Sequence, residues 1–222
     1  IGMKDERVVA VSAAMPSGTG LTKFAKRFPG RFFDVGIAEE HAVTFAGGLA
    51  AGGLKPYVAI YSSFFQRAYD QIIHDVCIPD LPVTFCIDRA GIVGADGETH
   101  QGILDLSFFA SIPGMTICAP KNKFELYDMM KFSLNFGHPL AIRYPRGDAY
   151  EGEREHRAPI VCGKSEILYE GEQVALVAVG SMVETAIQVK DYLAEAGLPA
   201  TVVNARFIKP LDTDMLDALA DK

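Results

Sequence analysis

Short apolar runs alternate with segments of helical periodicity along most of the chain, and this alternation constrains the fold more than any other feature. Residues 8–12, 56–61 and 83–87 are typical of buried strands, and in residues 39–51 the apolar side chains recur at helical spacing. Strands separated by helices of this length form parallel βαβ units with right-handed crossovers. The sequence therefore predicts an α/β fold built on a layered parallel sheet.

The periodicity also predicts where the chain divides. We predict strands at 7–12, 32–35, 56–61, 83–87, 115–119, 140–144, 174–179 and 200–205, and helices at 21–27, 39–51, 64–78, 126–135 and 183–196. Residues 145–159 are charged and aperiodic, which is typical of an interdomain linker. We therefore expect one domain at 1–158 and a second at 159–222. The second segment holds only about one βαβ unit, so we expect it to be truncated.

Composition excludes several functional classes. The 21 basic and 28 acidic residues give a net charge of −7, which argues against nucleic acid as a partner. No apolar run approaches the ~18 residues of a membrane span, and the N-terminal residues do not read as a secretory signal. The four cysteines form no C-x-x-C pair, so we expect no zinc ribbon and a reducing, cytoplasmic location.

Two motifs each join a predicted strand end to a helix start. In the first, Glu39 follows a glycine turn, and it is either a functional carboxylate or an acid that complements the helix dipole. In the second, Tyr61 and Phe64 suit an aromatic platform on which a flat ligand ring stacks, and Arg67 suits the binding of an anion. The alternative is an ordinary helix entry with one phenylalanine packed inward.

Residues 88–106 form a glycine-rich loop after a predicted strand, where α/β proteins bind ligands. Its Arg89, Asp96 and His100 favour function over a structural loop. The pairing of Asp96 with Asn122 imitates a magnesium diphosphate motif, but the glycine that should precede Asp96 and the second asparagine are absent, so we expect no metal ligands in this chain. Arg146 lies beside Pro and Gly at another strand end, as either a phosphate ligand or a solvated linker arginine.

Taken together, these segments resemble the 1-deoxy-D-xylulose-5-phosphate synthases, thiamine diphosphate enzymes of the transketolase superfamily. The matching pieces are FFDVGIAEEHAVTFAGGLA (32–50), KPYVAIYSSFFQRAYDQIIHDV (55–76), IDRAGIVGADGETHQG (87–102) and IRYPRGDA (142–149). The resemblance implies a transketolase-type pyrimidine-binding domain followed by the start of a C-terminal domain. One departure is Glu40, where the family often has Gln.

The resemblance also implies an activity, which is the condensation of pyruvate with D-glyceraldehyde 3-phosphate with loss of CO2, for isoprenoid precursor and thiamine biosynthesis. It assigns Glu39 to the pyrimidine nitrogen N1′, Phe64 to stacking on that ring, and Arg67 to the cofactor or substrate. It gives His100 a catalytic proton-transfer role and places Tyr61 near the reacting carbon. The remaining substrate residues are Arg89, Asp96 and Arg146, of which the two arginines hold the triose phosphate.

The family's N-terminal domain, which carries the Mg²⁺ and diphosphate ligands, has no counterpart in the 222 residues. We therefore expect the chain to be inactive alone, with that domain in the same or another chain, as part of a cytoplasmic or plastid homodimer. The alternatives are a split transketolase or dehydrogenase β subunit, and a non-catalytic α/β interaction module.

Overall fold

A computed structural model describes all residues, 1–222, and the chain folds into two compact units. The first comprises Ile1–Thr116 with Ser133–Arg146, and the second comprises Ile117–Phe132 with Gly147–Lys222. The predicted boundary between residues 158 and 159 stays a prediction. The unit division itself does not follow chain order, because residues 117–132 belong with the C-terminal residues.

The first unit is built on parallel strands in the order β2-β1-β3-β4-β6. The strands are β1 (Val8–Ser12), β2 (Phe32–Asp34), β3 (Lys55–Tyr61), β4 (Thr84–Asp88) and β6 (Leu140–Arg143). Interior positions of β1, β3 and β4 are buried throughout, as expected for a parallel sheet covered on both faces. The predicted α/β class is thus confirmed, with strand bounds within one or two residues of those expected.

The helices and remaining strands follow the predicted order closely. They are α1 (Thr22–Arg27), α2 (Glu39–Ala51), α3 (Tyr69–Gln71), α4 (Asp105–Ser111), β5 (Thr116–Cys118), α5 (Lys123–Phe136), β7 (Glu166–Tyr169), β8 (Val174–Ala178), α6 (Met182–Glu195), β9 (Ala200–Asn204), β10 (Phe207–Lys209) and α7 (Thr213–Asp221). None of the helices has both the length and the apolar character needed to span a bilayer.

The prediction of one continuous helix at 64–78 is wrong, because the helical type changes twice along this segment. The chain instead forms a 3₁₀ segment, Ser62–Ala68, then the single turn α3, then a π-helical segment, Ile72–Cys77. The physical reason lies in the spacing of its buried side chains, because Ser62, Phe65 and Ala68 recur every three residues. A 3₁₀ helix has three residues per turn, so all three side chains face the core together.

The second unit contains a three-stranded sheet in the order β7-β9-β8, in which β8 and β9 are parallel and β7 is antiparallel. Its core joins Leu168, Val202 and Val183, the last from α6. The sequence analysis missed β7 and β10, both of which pair antiparallel with a neighbour. An antiparallel strand of three or four residues carries too little periodicity to be separated from a loop.

Four charged side chains are buried together in this second unit, and we call them the ion network: Lys121, Glu125, Glu166 and Arg206. Lys121 Nζ lies 2.7 Å from Glu166, and Arg206 Nε lies 2.7 Å from Glu125. Burial acts to raise the pKa of Glu166, but hydrogen bonds from Lys121 and Ala158 and the charge of Arg206 outweigh it and lower that pKa. The two cations and two carboxylates thus neutralise one another inside the unit.

Candidate active site

The candidate site lies at the carboxyl edge of the parallel sheet in the first unit. Strands β3 and β4 are paired so that their last residues, Tyr61 and Asp88, are directly opposite each other. The chain continues from β3 into the 3₁₀ segment and from β4 into the glycine-rich loop. The motif that contains Phe64 and Arg67 and the loop that contains Arg89 and His100 therefore start side by side. Ligand sites of α/β sheets form at this edge.

Glu39 is buried at the first position of α2, with only 2% of its surface exposed. Arg67 Nη1 donates to its Oε1 at 2.6 Å, and the arginine itself is 48% exposed. The preceding residue, Ala38, has no side chain that caps the helix. A buried carboxylate with one partner at the mouth of the site fits a ligand-binding role better than a helix-dipole role, because Oε2 is left for a donor that a ligand brings.

Three rings pack against one another next to Arg67 of this ion pair, and we call them the aromatic cluster: Tyr61, Phe64 and His100. The ring centroid of Phe64 lies 5.8 Å from that of Tyr61 in a stacked arrangement and 5.1 Å from that of His100, edge to face. Arg67 places its guanidinium carbon 4.7 Å above the Phe64 ring. The structure thus brings together Tyr61, Phe64 and Arg67 of the second motif and His100 of the glycine-rich loop, which are separate in the sequence.

His100 has its two ring nitrogens in different surroundings. Nδ1 lies 2.9 Å from the hydroxyl of Thr99, and either atom donates depending on the tautomer. Nε2 is therefore the ring atom left for a ligand. The side chain is partly exposed, so a bound molecule can reach it.

Arg89 and Arg146 converge on one carboxylate. Arg89 Nε donates to Oδ2 of Asp96 at 3.0 Å, and Arg146 Nε forms an ion pair with the same oxygen at 3.0 Å. Arg146 is 44% exposed and presents the rest of its guanidinium to solvent, whereas Arg89 is 13% exposed. Arg89 Nη1 also lies 3.1 Å from Oδ2 of Asp88, so the two guanidiniums face two carboxylates. The half-exposed guanidinium of Arg146 is therefore the group in this corner that suits a phosphate.

The backbone at Arg89 adopts φ +60°, in the left-handed region that non-glycine residues rarely occupy. Asp88 stabilises this turn, because its Oδ1 accepts the Arg89 backbone N–H at 2.7 Å. Burial raises the pKa of Asp88, and the charge of Arg89 opposes that shift. Such a conformation costs about 1–3 kcal/mol and is held where the surrounding contacts fix it, commonly at functional sites.

Three features of the site were missed by sequence reasoning. One is the buried pair in which Arg143 Nε donates to Asp105 at 3.0 Å, behind the loop. Another is the contact between Gly102 and Ser62, where a Cβ on Gly102 would stand 2.6 Å from the serine Oγ. The third is Gly18, whose carbonyl accepts a hydrogen bond from Arg89. Residues far apart in sequence meet in each, so local patterns carry no signal for them.

In the second unit, Glu153, Glu155 and His156 place possible metal-ligand atoms within 4.8 Å of one another, in the segment that the sequence analysis assigned to an interdomain linker. His156 Nδ1 pairs with Glu153, which also accepts a hydrogen bond from the hydroxyl of Tyr169 at 3.0 Å. Glu153 and His156 therefore already have hydrogen-bond partners, and Glu155 is an exposed acid of a kind common without a metal.

Two family profiles match this chain. The family described as "Transketolase, pyrimidine binding domain" matches residues 1–151, and "Transketolase, C-terminal domain" matches residues 163–222. The first match alone covers more than half of the chain and contains every candidate site residue named above in the first unit.

Similar proteins agree with these profiles. The "1-deoxy-D-xylulose-5-phosphate synthase" of Lachnoclostridium phytofermentans is 60% identical over 96% of this chain, and that of Natranaerobius thermophilus is 57% identical over all of it. The chain spans about a third of the length of these relatives, 34% and 35%. The solved structure titled "Split gene transketolase, inactive beta4 tetramer" is 29% identical, with a TM-score of 0.89 over 99% of this chain and 71% of that one. A transketolase from Campylobacter jejuni, 21% identical over 94% of this chain and 34% of that one, shares the fold with a TM-score of 0.77.

Proposed function

Because this chain belongs to the transketolase family, we propose that it is part of a 1-deoxy-D-xylulose-5-phosphate synthase, a transferase that uses thiamine diphosphate to condense pyruvate with D-glyceraldehyde 3-phosphate. The observation that carries the proposal is the arrangement at one sheet edge of a buried carboxylate, an aromatic cluster and a pair of convergent arginines. The product class is an isoprenoid precursor.

The residues present fit the pyrimidine half of thiamine diphosphate. Glu39 offers a buried carboxylate oxygen at the start of α2, and Phe64 offers a ring face beside it. Bound there, the cofactor supplies the electron sink needed to break the carbon–carbon bond next to a carbonyl. Glu39 would hold a ring nitrogen, Phe64 would stack on the ring, and Arg67 would keep the Glu39 carboxylate oriented through their ion pair.

The other residues act on the substrates. His100, whose ring contacts that of Tyr61, would move a proton through Nε2 at the reacting end of the substrate. Arg89 and Arg146, together with Asp96 that orients both, would hold the phosphate of the triose. Fixing the phosphate sets the position of the aldehyde carbon, and binding energy remote from the reacting atoms then lowers the barrier through orientation.

We expect the change Arg146→Ala to raise the KM for D-glyceraldehyde 3-phosphate by about 10- to 100-fold, because one charge-assisted contact to an anion contributes about 1.5–3 kcal/mol. The KM for pyruvate, which has no phosphate, should hardly change. Steady-state kinetics with each substrate varied in turn measure both values. Arg154→Ala is the matched control, since that arginine belongs to the second unit, is 64% exposed and pairs with Glu151. An equal rise in both KM values would contradict the phosphate assignment.

The partners of the chain follow from the same proposal. The similar structure titled as a split-gene transketolase supports an arrangement in which the diphosphate- and Mg²⁺-binding domain is supplied by a separate chain. The relatives, three times longer, support one continuous protein with all domains. In both arrangements we propose a homodimeric enzyme of the cytoplasm in which this chain contributes the pyrimidine side of the site.

A reconstitution experiment tests the proposal. The chain is mixed with the N-terminal domain of a relative, thiamine diphosphate and Mg²⁺, and CO2 release from pyruvate is measured with and without the triose phosphate. We expect release that depends on both protein parts and is stimulated by the triose phosphate. Stimulation by a sugar phosphate acceptor with a ketose donor, and not by pyruvate, would favour a transketolase subunit instead.

A further inference from the structure

The loop after β1, residues 13–21, lies at the same sheet edge as the candidate site, because β1 and β3 are parallel neighbours. Its shape is fixed by internal hydrogen bonds. The Thr19 backbone N–H and side-chain hydroxyl both donate to the Met15 carbonyl, at 3.0 and 2.7 Å. Asp34 anchors the start of the loop by accepting the Ala14 N–H at 2.7 Å. The loop is therefore a fixed wall of the site.

Gly18 is the point at which this wall touches the aromatic cluster. A Cβ on residue 18 would overlap the hydroxyl oxygen of Tyr61 and stand 2.8 Å from its Cζ and 3.1 Å from its Cε1. Real Cβ atoms do not approach aromatic rings that closely. The Tyr61 ring thus fills the space that any side chain at position 18 would need.

Gly18 also holds Arg89 directly. Its carbonyl accepts a hydrogen bond from Arg89 Nη1 at 3.0 Å, and the guanidinium carbon lies 3.7 Å above the Tyr61 ring. Arg89 is therefore fixed by Gly18, by the ring of Tyr61 and by the carboxylates of Asp88 and Asp96. The first two of these four contacts depend on how close residue 18 lies to the tyrosine.

We infer that Gly18 is a positioning residue for the triose phosphate: its missing side chain sets the distance between the loop and the Tyr61 ring, and thereby the place of the Arg89 guanidinium. The inference rests on the proposed function, since it takes Arg89 to be a phosphate ligand. A side chain at position 18 pushes the ring outward and carries the guanidinium away from Asp96 and Arg146. Displacements of about 1 Å in such a pre-organised site are enough to weaken binding or catalysis strongly.

The test is Gly18→Ala in the complete enzyme that contains this chain. We expect the KM for D-glyceraldehyde 3-phosphate to rise about 10-fold or more, while the KM for pyruvate stays within about twofold. Gly30→Ala is the matched control, because a Cβ there meets nothing within 4 Å and the backbone is not left-handed. A Gly18→Ala enzyme with unchanged KM values would overturn the inference, as would an equal rise for both substrates.

A double-mutant cycle separates this positioning role from general damage to the fold. Tyr61→Phe removes the hydroxyl that an alanine at position 18 would overlap, so Gly18→Ala should raise the triose phosphate KM less in the Tyr61→Phe background than in the wild type. If the alanine also destabilises the protein, Gly18→Ala should lower the melting temperature less in the Tyr61→Phe background than in the wild type. Effects of equal size in the two backgrounds would overturn the inference.

Arg89→Ala distinguishes failure of the inference from failure of the proposed function. If Arg89→Ala raises the triose phosphate KM and Gly18→Ala does not, the role of Gly18 is wrong and the phosphate site stands. If Arg89→Ala leaves that KM unchanged, the proposed phosphate site is wrong and the inference falls with it. A rise in both variants supports the inference.

Discussion

Replacing Glu39 with glutamine should lower the turnover of the assembled enzyme by roughly 10²- to 10⁴-fold, the usual contribution of a positioned acid–base group. The glutamine keeps the shape of the side chain, but its amide can neither carry the charge nor exchange the proton that, under the proposed function, the carboxyl group would share with a ring nitrogen. The remaining partner, Arg67, is half exposed and stays hydrated, so the fold should survive. Turnover is measured as CO2 release, and thiamine diphosphate affinity by calorimetry.

Glu40→Gln provides the control for this prediction, since the two glutamates are adjacent in the first turn of α2 but Glu40 is exposed. It should leave turnover unchanged. If Glu39 acts only through the helix dipole, both variants should behave alike, with a small loss of stability and near-normal turnover. That outcome would remove the catalytic assignment of Glu39 and weaken the proposed function.

The largest expected effect on stability comes from Glu125→Ala in the ion network. Glu125 accepts hydrogen bonds from Arg206, from the Lys121 backbone and from Asn204, at 2.7, 2.7 and 2.9 Å. Without it, two buried cations are left with one carboxylate. Removing one partner of a buried charge set costs about 3–5 kcal/mol, since the other charge stays buried and uncompensated. The chain has no tryptophan, so urea unfolding is best followed by far-ultraviolet circular dichroism.

Glu151→Ala is the matched control, because Glu151 also pairs with two cations, Lys123 and Arg154, but lies on the surface with 55% of its side chain exposed. Exposed pairs contribute about 0–1 kcal/mol, so this variant should unfold close to the wild type. A Glu125→Ala protein as stable as Glu151→Ala would show that water or side-chain movement compensates the buried cations, against the prediction.

Much of the site could be predicted from the sequence because its residues stand at strand ends. Because β3 and β4 are parallel neighbours, Tyr61 and Asp88 lie opposite each other, and the next residue, Arg89, contacts the Tyr61 ring. The positions of the strands follow from periodicity, and so does the start of α2 at Glu39, which was predicted there. The roles of these residues came from the resemblance to a family, and they stay proposals.

The rest depended on contacts that local patterns do not encode. The Glu39–Arg67 pair joins two helical segments 28 residues apart, and the Gly18–Arg89 hydrogen bond spans 71 residues. The ion network was missed for a related reason, because charged residues in sequence are usually solvated. Only the fold shows that these four face one another in a region closed to water.

The three-residue winding of the 3₁₀ segment after β3 has a consequence for how this region can change during evolution. Its inward row is Ser62, Phe65 and Ala68, and the pair that lines the candidate site, Phe64 and Arg67, has the same spacing along the chain. Substitutions alter one row at a time, but inserting or deleting a single residue would shift one row into the place of the other. We expect homologues to vary in composition here while keeping the length of the segment fixed.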